Sequence, residues 1–297
     1  MKQFIFLFLI TFSLSAQVKG VVKDSITGEP IPFVNIWVEN ENIGTTSETN
    51  GSFTLDIKDD KKLIFSALGY ETKIISSKSE IIYLKLIVYE LNEVVVENSK
   101  KTKEIKLGSF KKGKIKLYYG SGIKPTTLAK KIEFTDEVSN YPFLKEISFL
   151  SLCQIKKAKI ILRFFELDNN GLPGADYLNE NIIIEVKEGK NINKIDLEKY
   201  NIKIPKKGIF IAFEWMIIED NKYTFEYTIE EEDNKIKHKN GLTYQPIIGT
   251  IPSEEQSSWQ FSQGKWFKRE KHRKENLKTS MYTDKFGELA IQLTLTN

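Results

Sequence analysis

Cysteine and histidine are nearly missing from this chain of 297 residues, which holds one cysteine, Cys153, and two histidines, His238 and His272. One thiol cannot close an internal disulfide, so the fold must stand on packed cores even in an oxidising compartment. Cys153 is expected to be a small buried hydrophobe. A zinc peptidase needs a His/Glu pair and a further histidine, and neither histidine here has a carboxylate at ligand spacing. An excess of one charge is missing too: 44 Lys and Arg face 40 Asp and Glu, a net charge of +4. Attraction of the whole molecule to nucleic acid or anionic lipid is therefore not implied, and any basic site must be local.

Catalytic signatures are equally scarce. Gly120-Ser121-Gly122 falls one residue short on each side of a Gly-x-Ser-x-Gly elbow. The run from Gly108 to Lys114 has phosphate-loop spacing, but Ile115 stands where a magnesium-binding hydroxyl belongs and a strand pattern, not a helix, follows. No cofactor is implied. The long apolar run is confined to the start, where Lys2, residues 4–12 and Ser13-Leu14-Ser15-Ala16 have the charge, apolar core and small-residue exit of a secretory signal. Cleavage is expected after Ala16. The run is shorter than the ~20 residues a spanning helix needs, so no transmembrane span is expected in the mature chain. Cys153 lies too far from this point to carry a lipid.

What is present is strand signal. Between residues 17 and 97 short apolar runs recur about every ten residues (18–23, 33–39, 45–49, 52–57, 62–67, 71–75, 81–86 and 92–97), the rhythm of an all-β sandwich. Asn50-Gly51 is expected at a hairpin tip, since a type I′ turn needs positive φ at both central positions. Gly28-Glu29-Pro30-Ile31-Pro32 must be a loop, because proline lacks the donor a central strand requires. In the strand that follows, Val34, Ile36 and Val38 should face the core, with Phe33, Asn35 and Trp37 on the other parity.

The ordered marks Gly20-Val21-Val22-Lys23-Asp24, Thr27-Gly28-Glu29-Pro30-Ile31-Pro32, Asn50-Gly51-Ser52-Phe53, Leu68-Gly69-Tyr70 and Leu91-Asn92-Glu93-Val94-Val95-Val96 resemble the carboxypeptidase regulatory-like domain, a transthyretin-like sandwich. The resemblance covers residues 17–97. It implies a non-catalytic module of the kind that precedes the plug of TonB-dependent outer-membrane receptors or accompanies a peptidase. A receptor barrel is not expected within the remaining ~200 residues, which hold too few strands for one. The resemblance also implies an exported protein, periplasmic or outer-membrane associated, in a Gram-negative bacterium.

Lysine-rich residues 98–113 read as a solvated linker. From residue 114 to 297 strand patterns continue without a convincing helix. Several runs are long, with apolar residues on both parities, which suggests a larger sandwich of jelly-roll type. In residues 288–296, Leu289, Ile291, Leu293 and Leu295 alternate with polar or small residues, one buried and one wet face. General likeness to jelly-roll surface and carbohydrate-binding domains is a weak functional warrant.

Four candidate features stand out in this second segment. Asp168, Asn170, Asp176 and Glu180 crowd a Gly/Pro-rich loop that could hold calcium, although an ordinary turn accounts for the same residues and EF-hand spacing is missing. Arg163 and Glu214 are lone charges in apolar strands, and buried charge needs a partner, so they are expected on neighbouring strands as an ion pair. Asp136, Glu137, Glu214 and Glu219 leave a spatial carboxylate pair open. The stretch Trp259-Gln260-Phe261-Ser262-Gln263-Gly264-Lys265-Trp266 reads as a hairpin. Its basic continuation of Lys268, Arg269, Lys271, Arg273 and Lys274 would project as a loop. With Trp259 and Trp266, these cations are the partner-binding candidates, suited to an anionic polymer and, in an exported protein, not to nucleic acid. The expectation is an exported, non-catalytic envelope protein that binds a glycan, peptide or protein. The alternative is an enzyme, or an enzyme's accessory subunit, acting on envelope polysaccharide or peptide.

Overall fold

The structure, a computed structural model, describes residues 17–87, 103–230, 236–262, 264–273 and 280–297. The signal at 1–16, the strand at 92–97 and Lys274 lie outside these. Residues 17–87 form two sheets. One carries Ser52–Asp56, Gln17–Asp24 and Ile81–Leu84 in that order, and the other Gly44–Thr46, Asn35–Val38, Lys62–Ser66 and Lys73–Ser76. Successive side chains of a strand point to opposite faces, so one parity of each strand is turned inward. Val34, Ile36 and Val38 join Val22, Phe53, Leu55, Leu63, Phe65, Ile82 and Leu84 in one core. Phe53 of the first sheet meets Phe65 of the second edge to face, with centroids 5.6 Å apart. Each such side chain contributes about 1.5–3 kcal/mol of transfer free energy.

Asn50-Gly51 corrects an expectation. Gly51 has φ +75° but Asn50 is not in the positive region, so the turn is not type I′. The Gly51 amide donates to the Glu48 carbonyl and the Glu48 amide to that of Ser52, which is a type I turn closed by a left-handed glycine. Its flanking strands then part: Gly44–Thr46 joins one sheet and Ser52–Asp56 the other. The turn is a corner between sheets. Only a bare Cα fits there, because a Cβ would lie 2.7 Å from the Val22 carbonyl.

Beyond residue 102, twelve strands among the described residues form one network. Its spine is a hairpin of Phe143–Leu167 against Ile182–Asp196, in register from Glu146 with Asp196 to Cys153 with Gly189, and again from Lys157 with Lys187 to Leu162 with Ile182. The register shift between Cys153 and Lys157 bends it. The first half pairs with Ile291–Thr296 and the second with Ile209–Trp215. Phe149 of the first half lies 4.6 Å from Phe213, in the strand beside the second half, so the two halves face each other across one core. This is an all-β sandwich whose two sheets are continuous through a shared hairpin. Thr126–Ile132, Ser258–Ser262 and Lys265–Lys268 extend one sheet outward, and Lys222–Glu230 with Ile236–Tyr244 form a separate ribbon.

The linker expectation is also revised. Glu104–Leu107 is a strand paired with Leu293 to Thr296, with Ile105 and Leu107 packed against the core. Lysine-rich composition concealed a strand of alternating parity. Cys153 is buried, and its Sγ donates to the Ile155 carbonyl. The α-helix Asp136–Asn140 is capped by the Thr135 hydroxyl, which accepts from the Val138 amide. Among the described residues no helix is long and apolar enough to cross a membrane.

The two sandwiches touch. Phe33, at φ +59°, packs with Ile161, Met216 and Ile218. The Ile217 amide donates to Thr46 Oγ1 at 3.0 Å, and the Glu219 amide to Glu48 Oε1 at 2.8 Å. These contacts set two outer sheet faces opposite each other.

Candidate binding cleft

The apolar residues on both parities of the long strands acquire a reason here. Ile160, Leu162, Phe164, Ile209, Ile211, Phe213 and Trp215 point into the main core. The opposite parity carries Ile161, Arg163, Phe165, Phe210, Ala212 and Glu214, and this face turns toward the first sandwich. Register pairs Ile161 with Glu214 and Arg163 with Ala212, so Arg163 and Glu214 are diagonal neighbours, within reach of long side chains. Arg163 Nη1 donates to Glu214 Oε2 at 2.6 Å, and the Thr127 hydroxyl adds a longer bond of 3.4 Å to the same oxygen.

A third charge completes the cluster. Asp168 Oδ1 accepts from the amides of Asn170 and Leu172, closing a tight turn that sends Pro173–Asp176 back along the long strand. Asp176 therefore sits opposite Phe165 and takes Arg163 in a forked grip, with Nε at 3.0 Å and Nη2 at 2.6 Å. Of the two readings of this loop, the arrangement is that of the ordinary turn and not of a calcium site. Asp168 is spent on its own turn, Asp176 on Arg163, and Asn170 and Glu180 are exposed. Among the described residues no group of His, Cys, Asp and Glu is placed to hold a metal.

Arg163 serves two carboxylates, so the cluster has a net charge of about −1 when both are ionised. Burial works against the Arg163 charge, but Glu214 and Asp176 more than offset it and its pKa is raised. Burial also raises the Asp176 pKa; Arg163 offsets part of that rise and the Glu214 charge adds to it.

The cluster lines a cleft of about 430 Å³ between the sandwiches. One wall is the outer face of the first unit's four-stranded sheet, with Asn35, Trp37, Ile64, Ser66, Thr72 and Ile74; register places Asn35 beside Ser66, and Trp37, Ile64 and Ile74 in a row. The other wall carries Thr127, Phe165, Phe261 and Trp266 with the three charges. Trp266 is packed edge-on against Phe165 at 5.5 Å and tilted against Phe261 at 5.1 Å. Asp136, Glu137 and Glu219 are exposed on the surface and take no part.

The aromatic hairpin is present, as Ser258–Ser262 paired with Lys265–Lys268, with Gly264 at φ +76° in the turn. Trp266 belongs to the cleft, and half-buried Trp259 packs behind it against Phe165, Phe210 and the neighbouring alanines. The cations lie down on rings: Lys268 over Trp259 at 5.2 Å, Arg269 over Tyr119 at 4.7 Å and Lys271 over Phe286 at 5.4 Å. The expected projecting loop is thus corrected for these three, whose aliphatic stems find apolar partners nearby. Arg273 is exposed. Trp37 and Phe165 were not singled out from sequence, and Phe261 was placed only as part of the hairpin arm. The signal for Trp37 was its parity, outward beside Asn35, on a strand whose inward parity is wholly aliphatic.

A small sandwich of a three-stranded and a four-stranded sheet, entered by a Gly-x-Val-x-Asp strand, is of the transthyretin-like class. Residues 18–96 match the family model of the CarboxypepD_reg-like domain, and this part of the chain is such a domain. The chain is 34% identical over 93 residues to the TonB-dependent receptor SusC of Bacteroides thetaiotaomicron, covering 31% of this chain and 9% of that receptor. It is 34% identical over 100 residues to the TonB-dependent receptor P3 of Formosa agariphila, covering 31% of this chain and 10% of the receptor. The chain thus spans about a tenth of the length of these relatives.

Proposed function

We propose that this is an exported, non-catalytic protein of the cell envelope that binds or assembles a partner in the cleft between its two sandwiches. The observation that carries the reading is the cleft itself: about 430 Å³, walled by Trp37 on one side and Phe165, Phe261 and Trp266 on the other, with one convergent cluster of charge. An apolar concave lining with a few fixed polar groups favours capture of a glycan, peptide or protein segment. The envelope location rests on the resemblance of residues 18–96 to a domain carried by TonB-dependent receptors, and on the signal-like residues 1–16.

Binding is favoured over hydrolysis by the state of the carboxylates. A glycosidase pair flanks its substrate with one acid and one base. Here Asp176 and Glu214 both accept from the same guanidinium on one wall, so they do not flank a substrate as a separate acid and base. The test is capture from envelope extracts with the mature chain, run beside a glycan array, comparing wild type with Trp266→Ala and Trp37→Ala. Loss of captured partner in both variants, with unchanged circular dichroism, is the expected outcome. Capture that survives both substitutions would place the partner elsewhere on the molecule.

A further inference from the structure

The cleft has an unmet electrostatic demand. Among the described residues Arg163, Asp176 and Glu214 are its charged lining groups, one cation against two carboxylates. Glu214 is 4% exposed; its Oε2 accepts from Arg163 and Thr127, while its Oε1 takes no protein donor among the described residues and is not sealed from water. A carboxylate oxygen still open to the cleft can take a further donor, and a cationic one would balance the second carboxylate of the cluster. Around it stand aromatic rings, whose faces attract cations.

We infer that the cleft receives a lysine side chain presented by a peptide or protein partner, its ammonium meeting Glu214 Oε1 and its butyl stem lying between Trp37 and Trp266. The inference rests on the cleft reading above and adds the chemistry of what enters. With the ammonium in place, two cations balance two carboxylates. A slim apolar stem ending in three donors suits the remaining lining, in which Ile64 and Ile74 offer no hydrogen bonds. An amino sugar would bring the same charge, and Asn35, Ser66, Thr72 and Thr127 are the neutral groups its ring hydroxyls would find; a lysine is preferred because its slim stem matches the apolar pair Trp37 and Trp266.

The test is calorimetric titration of the mature chain with a blocked pentapeptide of alanines carrying one central lysine. Its twin with norleucine at that position, glucosamine and glucose are titrated in parallel. Binding of the lysine peptide about tenfold or more tighter than the norleucine twin, weakened by added salt and lost in Glu214→Gln, is expected, from the size of a desolvated charge-assisted contact. Trp266→Ala, which removes none of the ion cluster's hydrogen bonds, should weaken it as well, which keeps the test valid if Glu214→Gln folds poorly. Equal affinity for the two peptides, with both weakened by Trp266→Ala, overturns the lysine inference and leaves the cleft reading standing. Glucosamine bound more tightly than the lysine peptide overturns the choice of peptide. No binding of any probe overturns the inference, and envelope capture that persists in Trp266→Ala and Trp37→Ala would overturn the cleft reading separately.

Discussion

Arg163→Met removes the one cation from the cleft cluster and keeps a side chain of comparable length. At neutral pH it leaves Glu214 and Asp176 on the same wall, their side chains only 5% and 19% exposed, without the guanidinium that held them. Breaking one partner out of a buried charged group costs about 3–5 kcal/mol, because the remaining charge is desolvated and unpaired. The guanidinium also lies 4.8 Å from the centre of the Phe165 ring, an interaction of about 0.5–1 kcal/mol. Water reaches part of Asp176, which moderates the penalty, so a loss of about 3 kcal/mol is expected. Urea unfolding followed by tryptophan fluorescence measures it as a lowered midpoint at unchanged slope. Two controls separate charge from packing. Lowering the pH to about 4, near the ordinary carboxylate pKa, should shrink the penalty by protonating the stranded groups. Adding Asp176→Asn and Glu214→Gln to Arg163→Met should recover much of the loss. A penalty below about 0.5 kcal/mol, or one equal at both pH values and unrelieved in the triple variant, would refute the argument.

Asp176 has a raised folded-state pKa, so the folded chain binds its proton more tightly than the unfolded chain; this contribution to stability is complete below the ordinary aspartate value of 3.8 and is lost as pH rises through the folded value. Melting temperature followed against pH should show that fall in wild type, and Asp176→Asn should remove it. In the ribbon, Gly241 lies under the Phe225 ring, and a Cβ there would come within 2.4 Å of it. Since a two-stranded ribbon is marginal alone, Gly241→Val should raise hydrogen exchange across Lys222–Glu230 and Ile236–Tyr244 while leaving the cores protected. Arg269→Ala should cost about 1 kcal/mol through its lost stacking on Tyr119, and Lys268→Ala, at an exposed site, less than about 0.5 kcal/mol. Paired urea titrations decide this, and equal losses would count against an anchoring role for Arg269.

The legible part of this fold was the part governed by local rules. Val34, Ile36 and Val38 are inside because a period of two puts them there, and the proline loop before them could not be a strand. Arg163 and Glu214 are found together because lone charges in apolar strands admit few other arrangements. What escaped was decided by tertiary partners. The strand at residues 104–107 looks like linker because its two lysine and glutamate neighbours face water; only the edge of Ile291–Thr296 makes it a strand. Asp176 read as one of a loop's acidic residues, since nothing local says that the turn closed by Asp168 would swing it onto Arg163. The corner at Gly51 read as a hairpin because turn chemistry fixes the bend but not which sheet each arm joins.

The cleft belongs to neither sandwich alone, and this bears on how it would work. Its walls meet because Phe33, Thr46 and Glu48 dock on Ile161 and residues 216–219. Phe33 adopts a left-handed backbone that a bulky side chain disfavours by about 1–3 kcal/mol. That cost is offset where the ring is 8% exposed against Ile161, Met216 and Ile218, a burial worth about 1.5–3 kcal/mol. The two terms nearly cancel, so the ring's burial alone holds the wall spacing only weakly, and the backbone bonds from Ile217 and Glu219 share the task. A ligand that touches Trp37 on one wall and Trp266 on the other adds its binding free energy to the docked arrangement alone. Occupancy of the cleft and docking of the sandwiches are therefore linked, each strengthening the other by the same amount.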